Sequence, residues 1–330
     1  MSRVVTFGEL MLRLSPPGQE RLFQSPQLRT FFGGSEANVA ASLAHLGERS
    51  DYVTRLPANP VGDAALAALR AEGVGTEGIL RGGERLGIYF VESGADIRGM
   101  RVVYDRAGSA FSRLDPAELH WRALLRGADW LHLSGITPAL GDGPAAAARQ
   151  AAETARSLGV KVSIDLNYRP ALWTGRDPVP LTRALVTGCD LVIGNPGAVQ
   201  AMLGVGPGEG GAPDTLRATS QALARELGCR AVALTSRKVI SASEHAWSAA
   251  LYDPHADQLH QSRRWQVLVT DRVGGGDSFC AALLHALLRG RQTAAALQFA
   301  TAASALKLTI PGDFNRVTAD EVDALLARTQ

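Results

Sequence analysis

Strand and helix signals alternate along this chain, which predicts an α/β fold: a mostly parallel central sheet between two layers of helices. Two further observations support that class. The 330 residues are 46% hydrophobic but only 6% aromatic, which suits a core built from Ala, Leu and Val. A run of three glycines, Gly274-Gly275-Gly276, opens directly into a segment with helical apolar spacing. The length could hold one large domain or two smaller ones. With no internal repeat in view, we expect one domain over residues 1–330, with 204–213 (GVGPGEGGAP) a mobile surface loop.

The elements follow in order. Residues 4–7 are a short apolar run ending at Gly8, a first strand. Residues 37–46 have helical spacing and stop at Gly47, a common C-terminal signal. Residues 50–56 read as a strand and 63–72 as a helix ended by Gly73. Residues 86–92 and 101–106 alternate like half-exposed strands. Asp115-Pro116-Ala117-Glu118 is a helix start, with a cap, a proline at the first helical position and a glutamate three after the cap. Then come strand 129–133, helix 145–158, strand 160–165, strand 191–193, helix 216–227 and strand 231–234. The strand-rich pieces at roughly 10–32 and 84–110 break the alternation and suit a small β lid inserted in the domain.

Composition excludes several classes of function. The 34 basic and 32 acidic residues nearly cancel, and no basic block or acidic tail occurs. A nucleic-acid or membrane-surface partner is therefore not expected. Cys189, Cys229 and Cys280 form neither a metal-type spacing nor a disulfide framework. No run approaches the ~20 apolar residues of a membrane span. The N-terminal segment lacks the apolar core of a signal peptide, so a cytoplasmic location is expected.

The chemistry concentrates in residues 271–288, DRVGGGDSFCAALLHALL. Glycines without side chains let backbone N–H groups close around an anion at a helix N-terminus. Asp277 follows them, where a carboxylate could take the proton of a hydroxyl attacking a phosphate. The pattern Asp271, Gly274-Gly275-Gly276-Asp277, Ala281-Ala282-Leu283-Leu284 resembles the C-terminal signature of the ribokinase-like (PfkB) carbohydrate kinases. That resemblance implies a three-layer ribokinase-like sandwich with a β lid. It also implies an anion hole at Gly274, Gly275 and Gly276, and Asp277 as catalytic base. Arg272 departs from the small or hydroxyl residue usual after the first Asp.

A second region, Phe32-Gly33-Gly34-Ser35-Glu36-Ala37-Asn38, resembles the N-terminal signature, with Pro57 a departure further on. Paired glycines allow close backbone approach to a ligand, and Asn38 offers a donor and an acceptor to sugar hydroxyls. Residues 102–112, 165–173, 233–253 and 307–315 resemble the 2-keto-3-deoxygluconate kinase branch of the family. A sugar acid carries a carboxylate, and guanidinium recognises carboxylate bidentately, so Arg106 and Arg169 are candidates for it. Tyr89 and Tyr104 could supply hydroxyls to the sugar, and Asp313 would help hold it if the branch resemblance carries over. By the resemblance, Asn167, Asn195, Gly274 and Gly276 approach the nucleotide phosphates and their Mg2+ shell; no residue is assigned as a metal ligand.

Two departures bear on this reading. The family usually has Glu three residues after the Asn at 195, where this chain has Ala198. The Gly-containing nucleotide turn after strand 231–234 is replaced by Ser236-Arg237-Lys238, which this branch often shares. The expected activity is transfer of the ATP γ-phosphoryl group to the terminal hydroxyl of a keto-deoxy sugar acid. A homo-oligomer through the lid is expected as well. The alternatives are a neutral-sugar kinase such as a fructokinase, or a sugar-acid-binding regulator without phosphoryl transfer.

Overall fold

A computed structural model describes residues 2–206 and 213–328. The loop expected at 204–213 falls largely outside the described residues. The chain begins β1 (Arg3–Phe7), β2 (Met11–Ser15), β3 (Arg29–Gly33), α1 (Ser35–His45), β4 (Arg49–Leu56), α2 (Pro60–Ala71). It continues β5 (Ile79–Arg81), β6 (Gly87–Glu92), β7 (Arg101–Asp105), α3 (Trp121–Leu124), β8 (Trp130–Ser134), α4 (Asp142–Ser157), β9 (Lys161–Asp165). Next come α5 (Pro178–Val186), β10 (Leu191–Gly194), α6 (Pro196–Leu203), α7 (Pro213–Leu227) and β11 (Val232–Ser241). The chain ends β12 (Glu244–Asp253), β13 (Gln258–Gln261), β14 (Trp265–Leu268), α8 (Gly275–Leu288), α9 (Thr293–Lys307), α10 (Ala319–Arg328).

Ten strands form the main sheet in the order β13-β12-β11-β10-β9-β8-β1-β4-β5, with β14 also on β12. From β11 to β5 the pairings are parallel, while β12, β13 and β14 close one edge antiparallel. The pleat divides the apolar residues between two cores. Val5, Val192, Val232 and Leu234 face the cluster that holds α4 to α7. Val4, Leu191, Ile193 and Ala233 face the cluster that holds α8, α9 and part of α1. Alanines along α4 and α9 have no side-chain length to fill, so on opposite faces of the sheet α4 sits close on β8 and β9, and α9 close on α8 and β12.

A second sheet of four strands, β3-β2-β6-β7, is built from the two segments that broke the alternation. Its β6–β7 turn touches the tip of the β11–β12 hairpin. Ala242 N donates to the Asp96 carbonyl at 2.7 Å, and Asp96 N donates to Ser243 Oγ at 2.9 Å.

Two elements differ from the sequence reading. The helix expected from Asp115 is a single 3-10 turn, Pro116–Glu118. Asp115 does cap it, accepting from Ala117 N at 2.9 Å. Buried Leu119 then turns extended, and Glu118 pairs with Arg55 at 3.1 Å in place of capping. Strand 231–234 runs on to Ser241, because its antiparallel partner β12 continues the ladder past the parallel core.

Candidate active site

The site lies where α/β proteins place ligands, beyond the carboxyl ends of the strands. Glu9 after β1, Ser134 and Asp165 ending β8 and β9, and Asn195 after β10 gather there. The N-termini of α1 and α8 point at them. A cavity of about 750 Å³ opens between this end of the main sheet and the inner face of the small sheet.

Asp277, in the first turn of α8, is buried and its carboxylate is held from two sides. Ser35 Oγ donates to Oδ1 at 2.9 Å and Asn38 Nδ2 donates to Oδ2 at 2.7 Å. Behind Ser35, Asn167 Nδ2 donates to its Oγ at 2.8 Å and to Asp165 Oδ2 at 3.1 Å. Asn167 adopts a left-handed φ of 39°, an uncommon conformation held in place by these bonds. Asn38 thus gives one amide hydrogen to Asp277, and its Oδ1 faces Gly34 N at 3.4 Å. It helps fix the carboxylate while also lining the cavity, a place that sequence alone did not show.

Burial raises the Asp277 pKa, with Asn38, Ser35 and the Arg169 charge pulling the other way. Asp165 is pushed up to about 7 by burial and then by the charge of Asp277. Glu36 is likewise pushed up to about 7 by burial, although Ser134 and Thr137 hydroxyls donate to it at 2.7 and 2.9 Å. Three buried acids thus share one small region, and the negative charge of each discourages ionisation of the next.

The glycine run divides its work. Gly274 has φ 81°, and a Cβ there would lie 2.3 Å from the Asp313 carbonyl oxygen, so only glycine fits. A Cβ on Gly275 would meet Leu308 at 2.9 Å, so that position packs α8 on α9 and does not line the cavity. A Cβ on Gly276 would meet nothing within 4 Å, because it faces the cavity. The N–H groups of this first turn have no carbonyl four residues back to bond, which leaves them for an anion.

Asp271 anchors the entry to that turn. It accepts from Val273 N at 3.1 Å and Gly312 N at 3.0 Å, and pairs with Arg13 at 2.8 Å. Buried Arg13 also pairs with Asp313 at 2.9 Å, and Asp313 in turn accepts from the Tyr89 hydroxyl. Both Asp313 oxygens are engaged in this way, so Asp313 sets the position of Tyr89. Tyr89 and Tyr104 are cross-strand partners with rings stacked 5.9 Å apart. Arg106, just past β7, is gripped by Glu9, which also accepts from Ser109 Oγ. Arg169, after β9, has no ion pair or side-chain hydrogen bond among the described residues.

Of the residues singled out from sequence, Gly34, Asn38, Tyr89, Tyr104, Arg106, Asn167, Arg169, Asn195, Gly274, Gly276, Asp277 and Asp313 all line the cavity. Gly33 does not: a Cβ there would lie 2.1 Å from Asp313 Oδ1, so this glycine lets two segments pass closely. A Cβ on Gly34 would lie 2.0 Å from the Glu9 carbonyl, a second close crossing. Asn195 Oδ1 accepts from Ala198 N at 2.9 Å, capping α6. The sequence reading missed Ser35, Glu9, Arg13 and Asp165. Ser35 was legible, since it follows the glycine pair it depends on.

Among the described residues no group of three or more His, Cys, Asp or Glu is placed to hold a metal ion. Asp165 and Asn167 nonetheless put hard oxygen donors on the cavity wall. Such a sparse set fits Mg2+ carried in by phosphates, since that ion keeps waters and takes one or two carboxylates.

The chain is 42% identical to a 2-dehydro-3-deoxygluconokinase structure from Thermotoga maritima, with a TM-score of 0.95, covering 99% of this chain and 100% of that one. It is 32% identical to a 2-dehydro-3-deoxygalactonokinase of Haloferax volcanii, over 98% of this chain and 96% of the relative. A 2-dehydro-3-deoxygluconokinase of Thermoproteus tenax is 29% identical over 95% and 90% respectively. The pfkB family carbohydrate kinase model matches residues 1–318. With the glycine-capped α8, its buried acid and the cavity between two sheets, the chain belongs to the pfkB family of carbohydrate kinases.

Proposed function

We propose that this kinase phosphorylates 2-keto-3-deoxygluconate at its terminal hydroxyl, giving the 6-phosphate, with ATP as donor and Mg2+ as its counter-ion, in the cytoplasm. The observation that carries the sugar-acid reading is Arg169: a guanidinium on the cavity wall, within electrostatic reach of Asp277 and Asp165 but in no ion pair or side-chain hydrogen bond among the described residues. A neutral sugar would leave it unpaired. A carboxylate would form charge-assisted bonds with it. Arg106 carries its own counter-charge in Glu9, so it meets the sugar as an oriented donor with little net charge. The similarity to 2-dehydro-3-deoxygluconokinases and a 2-dehydro-3-deoxygalactonokinase supports the same substrate class.

In the reaction, Asp277 accepts the proton of the terminal hydroxyl as that oxygen attacks the γ-phosphorus in line. Ser35 and Asn38 fix the carboxylate so that one lone pair stays aimed at the hydroxyl. The N–H groups of Gly274 to Asp277 meet the charge on the transferring group. Asp165 and Asn167 are the residues placed to face a bound Mg2+, which would supply positive charge to neutralise the phosphates. The small sheet acts as a lid, tied at its tip from Asp96 to Ser243, and its closure over bound substrate excludes water. Exposed Phe23 and Val103 on the outer face of the lid support a homo-oligomer formed through it, which sedimentation of wild type and a Val103→Asp variant would test.

The deciding experiment is a coupled ATP-consumption assay across sugars and sugar acids. Turnover on 2-keto-3-deoxygluconate well above that on fructose or ribose is expected. Preference for a neutral sugar would overturn the assignment, and binding of the sugar acid without ATP consumption would point to a regulator.

A further inference from the structure

Arg13 reaches the main body from the small sheet. It lies on β2, is 2% exposed, and is not among the residues that line the cavity. Each of its three guanidinium nitrogens has a partner. Nε donates to Ser15 Oγ at 2.9 Å, which fixes the side chain along its own strand. Nη1 pairs with Asp313 at 2.9 Å and Nη2 with Asp271 at 2.8 Å. The central carbon of the fork sits 5.2 Å from the Phe31 ring centre on β3. A buried cation split between two carboxylates is costly to place, so its geometry needs an explanation.

The two carboxylates belong to different segments. Asp271 roots the glycine turn through Val273 N and joins it to Gly312 N. Asp313 seats Tyr89, a residue of the cavity wall, by accepting from its hydroxyl. Tyr89 is the ladder neighbour of Arg13 in the β2–β6 pairing, so both side chains rise from the same face of the lid. Asp313 also meets the turn through its backbone, since a Cβ on Gly274 would lie 2.3 Å from its carbonyl oxygen. The loop that carries Asp313 is itself pinned. Lys307 Nζ donates to the Ile310 and Gly312 carbonyls at 3.1 and 2.9 Å, and a Cβ on Gly312 would meet Phe31 at 2.9 Å.

A continuous line of contacts thus runs from Tyr89, through Asp313 and Arg13, to Asp271 and Gly274. The charges along it balance, Arg13 and Lys307 against Asp271 and Asp313, and all four residues are buried. Burial raises the Asp313 pKa, and the Arg13 charge pulls it back. Two carboxylates gripped by one planar fork cannot shift independently. A change at Tyr89 is therefore felt at the glycine turn.

We propose that Arg13 is a positioning residue that couples the lid to the glycine turn, so that sugar bound against Tyr89 sets the turn for the nucleotide. Arg13 touches neither substrate and acts through Asp313 and Asp271. Sugar and nucleotide then each raise the affinity of the other, by the reciprocity of linked binding. The proposal rests on the kinase reading above but needs no particular sugar.

The test is equilibrium binding of a non-hydrolysable ATP analogue with Mg2+, with and without saturating 2-keto-3-deoxygluconate, to wild type, Arg13→Lys and Tyr89→Phe, beside thermal melts. Arg13→Lys keeps the buried charge, so the fold should survive, but an ammonium cannot span two carboxylates as the fork does. Wild type should bind the analogue about fivefold or more tightly when the sugar acid is present, the low end for coupled sites. In both variants that ratio should fall to near one, while analogue affinity without sugar barely changes. A merely structural role would lower the melting temperature and leave the ratio at its wild-type value, which in folded Arg13→Lys would overturn the proposal. So would a wild-type ratio of one. Should Arg13→Lys fail to fold, Tyr89→Phe decides, because it removes only the hydroxyl that reaches Asp313; a wild-type ratio there overturns the proposal as well. A wild type that turns over only a neutral sugar would defeat the substrate assignment, and the same ratio measured with that sugar would decide the coupling.

Discussion

Replacing Arg169 and Arg106 one at a time separates recognition of the substrate charge from support of the site. Arg169 makes no ion pair or side-chain hydrogen bond among the described residues, so Arg169→Ala removes what it gives the substrate and, beyond that, its charge's downward pull on Asp277 and Asp165. A charge-assisted hydrogen bond contributes about 1.5–3 kcal/mol, and 1.4 kcal/mol is tenfold. Efficiency on 2-keto-3-deoxygluconate should then fall roughly ten- to a hundredfold, with melting temperature unchanged. Efficiency on a neutral analogue such as fructose should barely move. Arg106→Ala has a second consequence: Glu9, 3% exposed, loses its cation. Breaking a buried ion pair from one side costs about 3–5 kcal/mol, so this variant should also melt several degrees lower. Glu9→Gln combined with Arg106→Ala should recover much of that stability but not the activity. The assays are steady-state kinetics on both sugars and thermal melts. Equal losses on charged and neutral sugars for Arg169→Ala would refute the charge argument, as would a stable Arg106→Ala enzyme.

Gly276→Ala adds a methyl group where the structure has open space and no positive φ, so folding should survive while turnover falls by tenfold or more, because the methyl occupies the anion's approach. Gly274→Ala should instead lower both stability and activity, since its Cβ would meet the Asp313 carbonyl at 2.3 Å in a left-handed conformation; melts and kinetics on the pair distinguish the two roles. Glu36 is raised from 4.5 to about 7 in the folded chain. Its contribution is therefore fully present below pH 4.5, declines as pH rises towards 7, and is absent above. Glu36→Gln, neutral throughout, should gain stability relative to wild type as pH climbs through that window, and a melting series from pH 4.5 to 8 that shows no such trend would contradict the burial argument.

The parts of the fold that were legible in sequence carry local signals. Gly274 and Gly275 stand out because a left-handed φ at the first and close packing at both exclude side chains, and β1, β9 and β10 because strands covered on both faces read as apolar runs. The antiparallel edge was not read, since residues 244–268 mix polar and apolar positions along strands half covered by α9. Arg13 looks like a surface charge on a strand until folding brings Asp313 beside it across 300 residues. Glu9 meets Arg106 across 97, and Ser35 meets Asp277 across 242. Sequence located residues that line the cavity but not those that hold them in place, because holding is defined by the partner. Asn38 and Asp313 show the limit from the other side: both line the cavity, yet their polar atoms are engaged with Asp277, Arg13 and Tyr89.

The most direct measurement for the whole account is turnover of Asp277→Asn on 2-keto-3-deoxygluconate under saturating ATP, beside sugar-acid affinity and a melting curve. Asparagine keeps the shape but cannot take the proton from the attacking hydroxyl. The account predicts a fall in kcat of at least about 10²-fold, the lower range for general base catalysis, with sugar affinity little changed. Loss of the raised Asp277 carboxyl should also remove the acidic limb of the residual pH–rate profile. A folded Asp277→Asn enzyme with near-normal turnover would contradict the mechanism at its centre.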